Sequence, residues 1–177
     1  VAVRIRTISH LVVAPGDADS VYLDTRIGES ASCNLDVNCY PEWETARRAV
    51  ARMIFTNNGF SYLCSGTLLN DIPGSWIPHF ATANHCISSQ TIASTLNTYW
   101  FYESASCDSG TLGPDTATLF GGAELLHAEP TTDTTLLRLL EPPPSGTVYA
   151  GWTNAWPNLS QPATGIHHPA GDLKKIS

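Results

Sequence analysis

Short runs of alternating apolar and polar residues, each cut off by a cluster of glycine, proline, asparagine or aspartate, recur along the chain. Residues 1–14 place Val1, Val3 and Ile5 on one side of an extended segment and Arg4 and Arg6 on the other, the period of two that marks a strand. "APGDADS" then breaks the run with turn residues. From Cys33 to Pro41 the pattern is irregular. "EWETARRAVARMIF" has helical propensity, with Glu42, Glu44, Arg47 and Arg48 as its charges, but its apolar end runs into "NNG". Asn-Gly favours a two-residue hairpin, so the expectation is a short helix or turn, a strand, the hairpin, and "FSYLCSGTLL" as the returning strand. "WIPHFATA", "TYWFY", "TATLFGGAELLHAE", "TTLLRLLE" and "VYAGWTN" read as further β-like runs. "NDIPGS", "DSGTLGPD" and "EPPPSG" separate them as turns. Many short strands at close spacing predict an all-β barrel or sandwich. Three prolines cannot join a ladder, so "EPPPSG" is the best linker.

Composition narrows the class. The 177 residues are 42% hydrophobic and 14% charged, enough to bury a core in one sizeable domain. A formal charge of −7, with no basic patch beyond Arg47-Arg48 and Lys174-Lys175, argues against nucleic-acid or anionic-membrane partners. No run reaches the ~20 apolar residues of a membrane span. Five well-spread cysteines, none in a C-x-x-C pair, argue for disulfides and an oxidising compartment rather than a zinc ribbon. An odd count leaves one of them without a partner in this chain.

The chemistry concentrates in "FATANHC", where His85 stands before Cys86 at the end of an apolar run. A metal site, a cysteine–histidine catalytic pair and a histidine held by a disulfide all remain open from the local pattern. A nucleophile built from the two neighbours is geometrically poor, because adjacent side chains of an extended chain point to opposite faces. The same geometry keeps His167 and His168 from facing one metal, and both read as structural. Trp152 and Trp156 read as packing anchors.

"CSGTLL" followed by "FATANHC" resembles the trypsin-like, chymotrypsin-fold serine proteases, and "TTDTTLLRL" resembles the segment carrying their catalytic aspartate. "SCNLDVNC", the cysteine spacing, "YWFY", "AGWTNA" and "GIHHPAGDLKKIS" are similar to the bacterial lysyl endopeptidase branch. The resemblance covers roughly residues 30–177. It implies an all-β, chymotrypsin-like double β-barrel, of which this chain holds the first barrel and the opening strands of the second. Residues 1–32 are then an N-terminal extension or propeptide end, with Arg26-Ile27-Gly28 as a processing point. Residues 33–140 are the first barrel, and residues 141–177 are the linker and the start of the second.

By the same resemblance His85 is the general base and Asp133 the carboxylate that orients it. An alcohol is a poor nucleophile near neutral pH unless a positioned base removes its proton, and imidazole suits that task. The resemblance also pairs Cys64 with Cys86 and Cys39 with Cys107, and sends Cys33 to a cysteine outside this chain. No Gly-x-Ser-Gly-type segment follows Asp133, so the nucleophilic serine, the oxyanion hole and the specificity pocket are expected beyond residue 177. The function implied is a secreted serine endopeptidase acting on protein or peptide substrates, with lysine or another basic residue preferred at P1. This chain alone is expected to be inactive, its partner being the missing C-terminal portion of the same protease. Neither a cofactor nor a metal is called for. The competing readings are a non-catalytic protease-like binding or adhesion module that has lost the serine, and a disulfide-stabilised structural domain with no active site.

Overall fold

The computed structural model describes residues 26–156 and 158–177. The strand expected over 1–14 and the turn that follows it lie outside the described residues. The all-β expectation holds: among the described residues ten strands form two antiparallel sheets, joined by short helical turns. Among the described residues no helix is long and apolar enough to cross a membrane.

The larger sheet grows from a hairpin. Strand β2 (Val50–Asn57) pairs with β3 (Phe60–Leu69) in a register that ends at Asn57 opposite Phe60. The two residues between them, Asn58 and Gly59, both take positive φ (50° and 81°), as a two-residue turn matched to strand twist requires. Strands β4 (His79–Thr82), β5 (Asn97–Trp100), β6 (Ala117–Leu119), β7 (Ala123–Glu129) and β8 (Thr134–Leu139) complete the sheet in the order β6-β5-β2-β3-β4-β8-β7. Among the described residues this ladder does not close on itself, since β6 and β7 form its two edges.

The pattern misplaced three features. "TATLFGGAELLHAE" is two strands, because Gly121 and Gly122 take positive φ and turn the chain between them. "VYAGWTN" is not a strand: it meets the sheet in one parallel bridge, Ala150 to Leu69. A helical turn, α2 (Gln90–Ala93), follows α1 (Glu44–Arg47) where no helix was expected. Ser89 caps it, its hydroxyl accepting the Ile92 N–H at 3.4 Å.

Met53, Phe55, Leu68, Phe80, Trp100 and Leu137 fill the inner face of the larger sheet, each at most 3% exposed. Phe80 meets the edge of Trp100 at 6.0 Å between ring centroids. Trp152 and Trp156, read as packing anchors, are 57% and 95% exposed. The chain beyond the prolines runs over the surface there, and the Trp152 indole N–H donates to Asn70 O at 2.9 Å.

The smaller sheet pairs β1 (Leu35–Asp36) with β10 (Lys175–Ile176), and β10 with β9 (Ile166–His167). Asp172 ties the residues before β1 onto it: its carboxylate accepts from Gly28 N at 2.8 Å, Ser30 Oγ at 2.5 Å and Leu173 N at 2.7 Å. Burial pushes the Asp172 carboxyl up, but the Ser30, Gly28 and Leu173 hydrogen bonds outweigh it and hold the group below the usual carboxylate range.

Polar side chains fasten the two sheets together. His168 N donates to Ser65 Oγ at 2.8 Å, and the fully buried Lys174 donates from Nζ to Arg47 O at 2.8 Å. The Arg52 guanidinium lies 4.6 Å from the Tyr102 ring centroid and 5.6 Å from that of Tyr99. Burial pulls the Lys174 ammonium down to about 8, against the Glu103 carboxylate 3.4 Å away, which favours the charged form.

Between pH 8 and 10.5 the unfolded chain keeps a proton at Lys174 that the folded protein has released, so stability rises with pH across that window. The rise expected from this group is up to about 3 kcal/mol. Denaturant midpoints at pH 8 and pH 10, compared with those of Lys174→Met, isolate it. An identical pH response in the variant would contradict the assignment.

Candidate active site

His85 sits in the loop that leaves β4, and Asp133 in the turn that enters β8. The two strands are neighbours, with Thr82 opposite Thr135, so the loop and the turn emerge side by side. The loop is a tight turn in which Ala83 O accepts the N–H groups of Cys86 and Ile87, both at 3.2 Å. On the Asp133 side, the N–H of that residue closes the turn onto Pro130 O at 3.3 Å. Asp133 takes φ +50°, a left-handed conformation that aspartate tolerates better than most residues.

Three hydrogen bonds join Asp133 to the His85 loop. Asp133 Oδ2 lies 2.6 Å from His85 Nδ1, Oδ1 accepts the His85 backbone N–H at 2.8 Å, and Asp133 O accepts the Asn84 N–H at 3.1 Å. An ionised carboxylate only accepts, so Nδ1 carries a hydrogen, and in the neutral imidazole the free lone pair is then on Nε2. Hydrogen bonds from the His85 ring, then from the His85 backbone, hold the Asp133 carboxyl below the usual range and keep it ionised. The side chains are 70% and 51% exposed, so among the described residues the pair lies open at the surface.

Cys64 on β3 and Cys86 form a disulfide, which ties the residue after His85 to the sheet. Their sulfurs lie within 4.8 Å of each other and of a His85 ring nitrogen, a spacing that would suit a metal if they were thiolates; the S–S bond removes that option. Cys39 and Cys107 form the second disulfide, and Cys33 is a free, exposed thiol among the described residues. Two disulfides fit an extracellular protein. His167 and His168 take no part in the pair: His168 is buried, and His167 Nε2 lies 3.2 Å from Ser177 Oγ.

The pattern gave no sign of Thr135. It is fully buried, and its hydroxyl donates to Ile87 O at 2.7 Å. A threonine in a β-rich run reads only as a strand former, and its partner lies 48 positions away.

Comparison with known proteins agrees with the resemblance. The family described as lysyl endopeptidase, C-terminal domain, matches residues 27–177. A lysyl endopeptidase of Pseudomonas aeruginosa is 40% identical over 172 residues, covering 90% of this chain and 37% of the relative. The chain therefore spans little more than a third of that relative's length. On the match over 27–177, this chain belongs to the lysyl endopeptidase family.

Proposed function

We propose that this chain is the base-bearing part of a secreted serine endopeptidase that cleaves protein substrates after lysine. The observation that carries the reading is the 2.6 Å contact between His85 Nδ1 and Asp133 Oδ2, with the second carboxylate oxygen on the His85 backbone. In this reading His85 Nε2 takes the proton of a serine hydroxyl as that oxygen attacks the scissile carbonyl, then returns it to the leaving amine. Asp133 holds the imidazole in the required tautomer and stabilises the imidazolium. Residues 33–140 carry both groups. Residues 141–177 open the unit that, with chain beyond residue 177, supplies the serine, the oxyanion hole and the basic-residue pocket. The preference for lysine rests on similarity to a lysyl endopeptidase.

Labelling the complete protein with a serine-directed fluorophosphonate tests this. Stoichiometric labelling that disappears in His85→Ala supports the endopeptidase. A folded protein that never labels is instead the non-catalytic, protease-like binding module.

A further inference from the structure

We infer that Thr135 is a positioning residue for the His85–Asp133 pair, its hydroxyl setting the separation between the loop that carries the imidazole and the turn that carries the carboxylate. The inference rests on the endopeptidase reading for its kinetic consequence, and on geometry alone for its structural one.

The hydrogen bonds between the two segments run in step. Asp133 bonds to His85, and two residues further along each segment Thr135 Oγ1 donates to Ile87 O at 2.7 Å, again across 48 positions. Asn84 N to Asp133 O, at 3.1 Å, brackets the pair on its other side. His85 therefore lies between two cross-links to the Asp133 segment, while the Cys64–Cys86 disulfide ties the same loop to β3.

The pair needs such support for two reasons. Its side chains are 70% and 51% exposed, so water competes for the bond between them, and the bond persists only if the backbone on both sides is fixed. Asp133 also takes φ +50°, which its own backbone preference does not enforce, so neighbouring contacts must hold it there.

Thr135 suits the task. It is 0% exposed, it sits in the ladder opposite both Thr82 and Ala128, and its β-branch leaves few rotamers, so the hydroxyl arrives at Ile87 O already aimed. Ile87 is itself 0% exposed, and a buried carbonyl that loses its donor moves to find another. Any such movement displaces the residue two positions earlier, which is His85.

The test compares Thr135→Val, which keeps the shape and removes the donor, with Thr135→Ser, which keeps the donor. Both are made in the complete protease. The expected result is a kcat about tenfold lower for the valine variant with KM within about twofold, since small misplacements of a catalytic group act on the chemical step. The downfield proton resonance of His85 Nδ1–H should shift or broaden in Thr135→Val, and Thr135→Ser should restore both readouts. A valine variant that melts at lower temperature but keeps its kcat and its resonance overturns the inference and leaves Thr135 a packing residue. If the valine variant does not fold, Thr135→Ala against Thr135→Ser isolates the hydroxyl, and equal kcat and resonance in those two overturn it equally. Asp133→Asn is measured alongside. A wild-type kcat there removes Asp133 from the mechanism, and a complete protein with no peptidase activity defeats the endopeptidase reading, while the resonance comparison still judges Thr135.

Discussion

Asp133→Asn, introduced into the complete protein, should on the proposed endopeptidase reading lower kcat by about 10⁴ while leaving the fold intact, the magnitude that serine-protease triads show for this change. The reason lies in which atom carries the hydrogen. A carboxylate accepts from Nδ1 and leaves Nε2 free to take a proton; an amide can present its NH₂ to Nδ1, which favours the tautomer with the hydrogen on Nε2 and blocks the base. Stability should change little, because water screens a pair this exposed. Steady-state kinetics on a lysyl ester, with thermal melting as the control, separates the two effects. A loss of less than tenfold would remove Asp133 from the mechanism.

The largest structural effect is expected at Gly66. A Cβ added there would lie 2.5 Å from Phe80 Cζ and 2.9 Å from Met53 Sδ, and closer still to Phe80 Cε1. Phe80 is 0% exposed with its ring against Trp100, so it has no vacant space to enter. Gly66→Ala should therefore destabilise the protein by about 3 kcal/mol or more, at the upper end of overpacking penalties. Phe80→Leu in the same chain should recover part of that loss, because a smaller side chain admits the methyl group. Chemical denaturation of the single and double variants measures the coupling. Additive losses would show that the Phe80 ring is not what excludes a side chain at position 66.

Both effects depend on contacts whose legibility in the sequence differed. The β2–β3 hairpin was readable because Asn58-Gly59 is a local requirement: a two-residue turn needs positive φ twice, and few dipeptides supply it. The break at Gly121-Gly122 was missed because the flanking residues keep a strand-like pattern through it. The exposure of Trp152 and Trp156 was misread because a large apolar side chain looks the same in sequence whether or not the fold covers it. His85 stands out locally as the residue before Cys86, but its role and the choice of Asp133 come from resemblance to a known protease family. The left-handed backbone of Asp133 and the Thr135–Ile87 bond had no counterpart in the pattern at all.

The order of residues by itself determined the β class, the hairpin and the chemical types available at the site, since propensity and turn chemistry act over a few neighbouring positions. Only the tertiary structure decided that a loop and a turn 48 positions apart emerge side by side from paired strands, that Cys64 meets Cys86, and that a buried threonine spans the gap. Those contacts join segments distant along the chain, and their geometry exists only once the sheet has set its register.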